Sequence, residues 1–274
     1  MFSIIKTGIA NTFYHLKRFK LCEGSVQPGS FRILLYHAVA EVDSQDRLGL
    51  KVSLRDFTDQ MDYLHKEGYS VLPLQELVFM LRQGRFIPPK AVSLTFDDGY
   101  RDNLEQILAV LKKYDYKATF FVIGDSTGNK AKYPKKDYWD YWDCFSLEDL
   151  RKVAREGSDI GLHSYVHENL LKLAMLKIEQ NISKAKNTLE VILRKRIGLF
   201  SYPHGGSNAK VIEILRECGF KAACSSIPGY NHGGTNLFML HRTEINTRDG
   251  ISGFKKKLSG CYDWRGYFRG RDVR

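Results

Sequence analysis

Residues 91–100, A-V-S-L-T-F-D-D-G-Y, constrain the fold of this chain more than any other stretch. The apolar run predicts a buried strand, and Gly99 permits a turn into the next helix. Such a strand delivers Asp97 and Asp98 together to its C-terminal end, where adjacent like charges repel and each favours protonation of the other. A divalent metal beside one carboxylate would keep it ionised and leave the other free to act as a base. We therefore expect a cation at this end of the strand.

Strands and helices alternate along the chain on both sides of this stretch. Apolar and β-branched runs predict further strands at 31–39, 69–72, 117–123, 159–162, 199–202, 220–224 and 237–240. Helical periodicity predicts helices at 53–68, 74–81, 104–111, 147–154, 169–194 and 209–218. This alternation implies parallel strand pairing, and the number of strands suits a closed or nearly closed β/α barrel better than an open sheet. The 274 residues are therefore expected to form one α/β domain.

The chain is basic, with 42 Lys and Arg residues against 31 Asp and Glu residues and a net charge of +11. Such a charge suits anionic partners, among them phosphate-bearing glycans, an acidic membrane surface and nucleic acid. A solvated basic surface explains the composition equally well, because the charges are spread along the chain. No nucleic-acid-reading module is recognisable, so nucleic acid is not an expected partner.

Residues 1–30 form a basic amphipathic segment. It could lie on an anionic membrane surface, or it could be a short helix packed against the domain. The segment lacks the apolar core and cleavage site of a secretory signal, and no segment is long enough in apolar residues to span a bilayer. Five cysteines without a C-x-x-C pair also favour a reducing compartment. We therefore expect a cytoplasmic protein, or one that is peripheral at the membrane.

Residues 124–143 are polar and predict an inserted loop. The segment contains five aromatic side chains, namely Tyr133, Tyr138, Trp139, Tyr141 and Trp142. They could form a lip on which sugar rings stack, or they could simply fold the loop against the domain.

Two histidines, His163 and His167, stand four residues apart in H-S-Y-V-H, directly after the predicted strand 159–162. This spacing places both imidazoles on one face if the segment turns helically. Alone, such a pair is more often incidental than a ligand pair. Two histidines with one carboxylate, however, make a compact divalent-metal site with open positions for water and substrate. The pair follows a strand of the same alternating array as Asp98, so these groups can reach the same face of a barrel.

The motifs T-F-D-D-G at 95–99 and H-S-Y-V-H at 163–167 resemble the first two motifs of the polysaccharide deacetylases, the NodB-homology or family 4 carbohydrate esterases. The resemblance covers about 31–246, and this pair of motifs in this order is highly specific. The first strand, with Tyr36 and His37, is more similar to the branch acting on poly-N-acetylglucosamine than to the chitin-acting branch. The resemblance implies a distorted, seven-stranded, parallel β/α barrel over 31–246. We expect a C-terminal helix and basic tail at 247–274.

The resemblance also implies roles for the motif residues. Asp97 corresponds to the general base, and Asp98, His163 and His167 correspond to the ligands of a divalent metal, most simply zinc. The implied reaction is metal-assisted hydrolysis of an N-acetyl amide. The metal polarises the carbonyl and lowers the pKa of a bound water, which Asp97 deprotonates.

The third motif resembles F-S-Y-P-H-G at 200–205, which implies substrate contacts from Tyr202, Pro203 and His204. Two departures stand out. The family's arginine that orients the base is usually in this motif, but the position holds Ser201. The aromatic residue beside the glycine, usually tyrosine, is His204. The fourth motif, an aspartate with a tryptophan, is not visible in its expected form.

The fifth motif, a leucine closely followed by a histidine, is matched in part by M-L-H-R at 239–242. We hypothesise that His241 protonates the leaving amine, because an unprotonated amide nitrogen is a very poor leaving group. Arg242, also a candidate substrate contact, would replace the missing arginine beside Asp97. A structural role for His241 is the alternative, since consecutive strand residues point to opposite faces, and His204 is then the competing acid. His37 ends a strand, where a buried structural histidine is the more common role.

These features predict a metal-dependent hydrolase that removes N-acetyl groups from amino sugars in a polysaccharide or a lipid-linked glycan. The departures at Ser201 and around His241 leave a catalytically weak or inactive glycan-binding relative as the alternative. An iron(II) oxygenase with two histidines and one carboxylate is disfavoured. Such sites usually lie on antiparallel sandwiches, whereas this chain alternates strands and helices.

Overall fold

The computed structural model describes residues 28–43, 46, 48–102, 104–126, 143–264 and 266. The strands are β1 (Phe31–Tyr36), β2 (Ala38–Val39), β3 (Lys51–Val52), β4 (Ser70–Val71), β5 (Ala91–Phe96), β6 (Ala118–Val122), β7 (Asp159–Leu162), β8 (Leu199–Ser201), β9 (Ala222–Cys224), β10 (Tyr230–Asn231) and β11 (Thr243–Glu244). The helices are α1 (Leu54–Lys66), α2 (Leu74–Arg82), α3 (Leu104–Lys113), α4 (Leu147–Arg155), α5 (Met175–Leu193), α6 (Ala209–Glu217) and α7 (Gly250–Leu258). Short 3-10 helices cover Gly124–Ser126, Leu170–Lys172, Pro203–Gly205 and Leu237–Met239.

The main sheet is curled and almost entirely parallel, which confirms the predicted distorted α/β barrel in a single domain. Seven strands follow the order β10-β1-β5-β6-β7-β8-β9, with β11 beside β1 and β4 beside β5. The pair β1–β10 is antiparallel, whereas the other pairs of this sheet are parallel. Because parallel strands share a direction, the residues that follow β1, β5, β7 and β8 all lie on one rim, here named the carboxyl rim. The residues that precede the strands lie on the opposite, amino rim.

The alternation of side chains along β5 assigns its residues to two faces. Phe96 stacks on Tyr36 of β1 and Phe120 of β6, with ring centroids 5.3 and 4.8 Å apart, and all three rings are in register. Aromatic pairs of this kind contribute about 0.5–1.5 kcal/mol each beyond their burial. Thr95 and Asp97 therefore point the other way, into the interior of the curled sheet. The aromatic layer thus supports the strand end that carries the carboxylates.

Helix boundaries follow local capping. The Ser53 hydroxyl accepts a hydrogen bond from the Asp56 N–H and begins α1, as the sequence predicts. Ser146 and Asp149 form a reciprocal capping box at the start of α4. Each cap satisfies an N–H that the helix itself leaves unpaired.

Three predicted elements differ from the structure. The predicted strand 31–39 is interrupted at His37, between β1 and β2. The predicted helix 169–194 is two elements, because the Asn169 side chain caps a 3-10 turn before α5 begins at Met175. The predicted strand 237–240 is a 3-10 helix followed by a single bridge from Leu240 to Cys224.

Among the described residues, no helix combines the length and the apolar character that crossing a membrane requires.

Candidate active site

The two adjacent carboxylates diverge at the end of β5. Asp97 extends the ladder, since its N–H donates to the Tyr36 carbonyl at 2.9 Å. Asp98 then adopts a left-handed conformation with φ of 75°, and Gly99 follows at 68°. A Cβ on Gly99 would lie 2.9 Å from Val122 Cγ1, so the tight turn against β6 requires glycine. The turn sends the two carboxylates into different environments.

Asp97 is buried and held by two donors. Arg242 donates from Nη1 to Oδ1 and from Nη2 to Oδ2, both at 2.7 Å, and the Ser201 hydroxyl donates to Oδ2 at 2.9 Å. Arg242 also donates to the Ser225 carbonyl at 2.9 Å, which fixes the guanidinium plane. Burial by itself raises the pKa of Asp97, but the Arg242 and His163 charges outweigh it and hold that pKa below its usual range. Asp97 is therefore ionised at neutral pH.

Asp98, His163 and His167 form a compact group in which one oxygen and two nitrogens lie within 4.8 Å of one another. Asp98 Oδ1 is 3.3 Å from Nε2 of each histidine. This oxygen is buried and has no hydrogen-bond partner among the described residues. The Nδ1 atom of His163 is 2.8 Å from the Ser201 carbonyl, which orients the ring and directs Nε2 towards Asp98. The donor set and the unpartnered oxygen fit a divalent cation.

The pKa shifts at this group have opposite signs. Burial favours a neutral His167, and it lowers that pKa to about 4 despite the nearby Asp98 carboxylate. Burial acts in the same direction on His163, but Asp97 and Asp98 outweigh it and raise the His163 pKa. Burial would raise the Asp98 pKa, yet the two imidazoles lower it. The acidic pair thus attracts positive charge, which either a proton on His163 or a bound cation supplies.

The segment that carries the histidines is not helical. His167 joins His163 through a turn in which Ser164 has a φ of 62° and His167 one of 54°, and the Ser164 hydroxyl accepts from the His167 N–H at 3.0 Å. Asp98 and His204 also have positive φ. Such conformations cost on the order of 1–3 kcal/mol each for residues other than glycine, and they concentrate at functional sites. The predicted pair therefore meets by strained backbone, not by helical spacing.

The third-motif residues divide between core and surface. Tyr202 is buried, its hydroxyl donates to the Phe238 carbonyl, and its N–H donates to the Cys224 carbonyl. The structure thus places Tyr202 in the core, and its substrate contact stays a prediction. Pro203 is buried as well. His204 is exposed, and its ring centroid lies 4.7 Å from that of His167. Of the three predicted contacts, the structure brings His204 alone to the surface of the site.

Arg242 and His241 point in opposite directions. Arg242 enters the sheet interior, where it bonds Asp97 and the Ser225 carbonyl, which agrees with the predicted position beside Asp97. Its role as a substrate contact stays a prediction. The His241 backbone is held by the Asn231 side chain, and Asp263, His232 and Arg32 are the charges that act on its imidazole. The structure therefore does not bring His241 to the carboxylates. The reason is the alternation of extended backbone, in which only one of two neighbours can face inward.

His37 is the residue that sequence reasoning underrated. It directly follows β1, the strand in register with β5, and its charge is one of those that lower the pKa values of Asp97 and Asp98. Its Nδ1 atom is buried and has no hydrogen-bond partner among the described residues. The available signal was its position, since residues that end parallel neighbouring strands share a rim.

Residues 143–145, at the end of the predicted inserted loop, are bonded to the residues that follow Asp98. Arg101 N–H donates to the Asp143 carbonyl, and Phe145 N–H donates to the Gly99 carbonyl, each at 2.8 Å. The bridge between Tyr100 and Cys144 lies between these bonds. The aromatic residues predicted to form a sugar-binding lip fall within 127–142, outside the described residues. Residues 1–27 of the N-terminal segment and the basic tail beyond 266 also fall outside them, so the predicted domain limits stay predictions.

Comparisons with known proteins agree on one family. The family model for polysaccharide deacetylases matches residues 86–223, about half of the chain. YxkH of Bacillus subtilis (strain 168) is 29% identical over 227 residues, which are 83% of this chain and 75% of that protein. Poly-beta-1,6-N-acetyl-D-glucosamine N-deacetylase of Staphylococcus aureus is 24% identical over 187 residues, which are 65% of this chain and 62% of that protein, less than two thirds of its length.

Solved structures share the fold. The deacetylase PplD of Streptococcus pyogenes, in complex with acetate, superposes with a TM-score of 0.73 at 23% identity, covering 85% of this chain and 99% of that one. IcaB from Ammonifex degensii superposes with a TM-score of 0.72 at 24% identity, covering 86% and 98%.

Proposed function

This chain belongs to the polysaccharide deacetylase family, whose members are hydrolases of amide C–N bonds, and we propose that it removes N-acetyl groups from amino sugars in a polysaccharide or a lipid-linked glycan. One observation carries the proposal. An ionised, buried Asp97 lies beside the Asp98, His163 and His167 group, with its Oδ2 atom 3.8 Å from His163 Nε2. A base next to a cation-binding group is an arrangement that supports metal-assisted hydrolysis of an amide.

In the proposed reaction Asp97 accepts the proton of the attacking water. Its carboxylate accepts three hydrogen bonds from Arg242 and Ser201, of about four that a carboxylate can accept. One acceptor position therefore remains for water among the contacts described. Hydrogen bonds from Arg242 and Ser201 hold the Asp97 carboxylate in one orientation. The base therefore does not have to reorganise during the reaction.

Asp98, His163 and His167 would hold a divalent cation, most simply zinc. Such a cation supplies Lewis acidity to the amide carbonyl and to its bound water. On the protein side, the bond between His163 Nδ1 and the Ser201 carbonyl keeps that ring in place, and the depressed pKa of His167, about 4, keeps it neutral at pH 7.

The leaving amine needs a proton, and we propose His204 as its donor in place of His241. His204 is exposed on the carboxyl rim next to His167, where it can meet a substrate. His241 is directed towards Arg32 and Asp263. Nothing in the described residues favours the inactive glycan-binding alternative, because Asp97, Asp98 and the two motif histidines lie together.

Acetate release from chemically defined N-acetylglucosamine oligomers tests the proposal. The wild-type chain, loaded with zinc, is expected to release acetate, and Asp97→Asn is expected to reduce the rate by about 10²–10⁴-fold because it removes a general base without changing the side-chain shape. Asp115→Asn is the matched control, since the Asp115 side chain is 95% exposed on the amino rim. Equal rates for Asp97→Asn and Asp115→Asn would refute the proposal.

The same acetate-release assay tests which class of glycan is the preferred substrate. Relatives include a deacetylase of poly-beta-1,6-N-acetyl-D-glucosamine and a peptidoglycan-N-acetylmuramic acid deacetylase. We propose the first class of substrate for this chain and expect faster acetate release from β-1,6-linked N-acetylglucosamine oligomers than from peptidoglycan fragments. The opposite preference would reject this substrate and leave the proposed chemistry intact.

A further inference from the structure

The amino rim carries a concentration of cations that the proposed chemistry does not use. Three connections on this rim lead into strands of the sheet: 83–90 into β5, 194–198 into β8 and 218–221 into β9. Strands β8 and β9 are neighbours, and α2, which precedes 83–90, lines one groove together with Arg196 and Lys221. The three connections contain six basic residues and neither Asp nor Glu. All six are exposed, and we name them the basic face: Arg85, Lys90, Arg194, Lys195, Arg196 and Lys221.

Few of these charges are neutralised inside the protein. Lys195 pairs with Asp159 and Arg196 with Glu190, both acids being largely buried beneath the face. Among the described residues, Arg85, Arg194 and Lys221 take part in no ion pair. The other connections into β4, β6 and β7 differ, because 67–69 contains Glu67, 114–117 contains Asp115 and 156–158 contains Glu156. Among these connections, the ones that carry basic residues and no acid are therefore the three that lead into β5, β8 and β9.

Large apolar side chains near the basic face are exposed to solvent. Phe86 is 77% exposed and Val191 is 78% exposed. Phe79, at the end of α2, is 47% exposed, and the Arg85 guanidinium lies 4.9 Å from its ring centroid. A groove between α2 and the end of α5 is lined by Phe79 and Val78 together with Arg82, Arg196 and Lys221. Cations interleaved with exposed aromatic and aliphatic side chains match a surface that is anionic outside and apolar just beneath.

We propose that the basic face docks on an anionic lipid bilayer. The cations meet the lipid phosphates, and Phe86 with its apolar neighbours enters the boundary between headgroups and acyl chains. The carboxyl rim, with Asp97 and Asp98, lies at the other ends of the same strands and faces away from the bilayer. The docked chain thus presents its proposed active site to glycan outside the lipid surface. The chain's own N-terminal segment is a poor occupant of this face, because that segment is also basic.

Vesicle sedimentation tests the proposal with the full chain. We expect binding to an equimolar mixture of phosphatidylglycerol and phosphatidylcholine, little binding to phosphatidylcholine alone, and release at high salt. The variant with Arg85→Glu, Arg194→Glu and Lys221→Glu is expected to lose at least about tenfold in apparent affinity for the anionic vesicles. The control variant carries the same charge change at exposed helix starts on the carboxyl rim, Arg55→Glu, Lys177→Glu and Lys210→Glu, and should change less than about threefold.

Phe86→Ser is a second, single-residue variant in case the triple change impairs folding, and it should weaken vesicle binding by about threefold or more. Acetate release from a soluble oligomer is measured in parallel and should be unaffected by the basic-face variants, which separates this proposal from the proposed hydrolysis. Equal affinity of wild-type and basic-face variants for anionic vesicles would overturn the proposal. So would equal binding to neutral and anionic vesicles, or binding to a soluble polyphosphate without binding to vesicles.

Discussion

At the carboxyl rim, buried charges lie directly against opposite charges: Arg242 is 2.7 Å from each oxygen of Asp97, and His163 and His167 approach Asp98 to 3.3 Å. At the amino rim, the six cations of the basic face are exposed, and Arg85, Arg194 and Lys221 have no ion-pair partner among the described residues. The difference follows from solvation. A buried charge requires a partner inside the protein, whereas a hydrated charge remains available to a partner outside it. Substitutions at the first rim should therefore disturb chemistry and stability together, and substitutions at the second should disturb neither.

The largest effect is expected from Asp98→Asn. The change removes the charge that Asp98 would contribute to a bound cation, so zinc affinity should fall at least about 10²-fold and acetate release by about 10³-fold. Calorimetric titration of zinc into chelator-treated protein, followed by the acetate assay, measures both. Asp115→Asn at the amino rim is the control and should bind zinc like the wild type. Unchanged zinc binding by Asp98→Asn would remove Asp98 from the proposed ligands.

Arg242→Ala should have the next largest effect. It leaves Asp97 buried without its partner, which costs about 3–5 kcal/mol of the free energy of unfolding, and it should lower kcat by about 10²-fold with little change in KM. Arg242→Lys keeps the charge but loses the two-pronged geometry, so it should fall between wild type and Arg242→Ala. Denaturant titration and steady-state kinetics measure these quantities.

A merely structural role for Arg242 can be separated from a positioning role. Guanidinium ion added to folded Arg242→Ala should restore part of kcat if the side chain positions Asp97. Ser201→Ala, which removes one hydrogen bond from the same carboxylate, should cost less than tenfold, because Arg242 remains in place. An Arg242→Ala enzyme that is as active as the wild type would show that Asp97 needs no such support.

A smaller effect on acetate release is expected from substitutions of the two candidate proton donors, His204 and His241. His204→Ala should reduce acetate release by about tenfold or more, since it removes the proposed proton donor, whereas His241→Ala should leave the rate within about twofold. The effect of His204→Ala should shrink for a substrate with a better leaving group, such as an N-trifluoroacetyl sugar. The reverse order of the two variants would reinstate His241 as the acid.

The smallest predicted effect concerns stability and pH. Burial lowers the pKa of His241, with Arg32 and His232 acting in the same direction and Asp263 opposing them. The unfolded chain therefore binds a proton at this residue more readily than the folded chain. The contribution of neutral His241 to the free energy of unfolding is therefore complete above the ordinary histidine pKa of about 6.5. That contribution is lost as the pH falls below about 6.5, because the unfolded chain then gains a proton at this residue. Denaturant titration at a series of pH values should show a shallower acid loss for His241→Gln. Identical slopes would contradict the burial argument.

The order of strands and helices was accessible from the sequence because apolar periodicity and turn residues are local properties. The strand ending in Asp97 and Asp98 and the pair His163 and His167 were found in the same way. Their meeting at one rim follows from parallel pairing alone, since residues that end neighbouring parallel strands must lie together.

The orientations of individual site residues could not be predicted from the sequence, because they depend on tertiary contacts. Which of His241 and Arg242 faces inward is decided by the Leu240 bridge to Cys224 and by the Asn231 side chain, which bonds both the N–H and the carbonyl of His241. Neither contact has a local sequence signal. Tyr202 was expected near substrate, but its hydroxyl finds the Phe238 carbonyl within the core. The 3-10 turn and the helix α5 are separate elements, but no glycine or proline lies between Asn169 and Met175 to mark the boundary. Apolar periodicity alone therefore predicted one continuous helix.

The hydrogen bonds that tie Arg101 to Asp143 and Gly99 to Phe145 have a consequence for diversification. The described residues on either side of 127–142 are held by the framework: Gly124–Ser126 form the short helix after β6, and Asp143 and Phe145 bond the turn that bears Asp98. A graft of different length or composition between Ser126 and Asp143 would leave the catalytic turn under the same restraint.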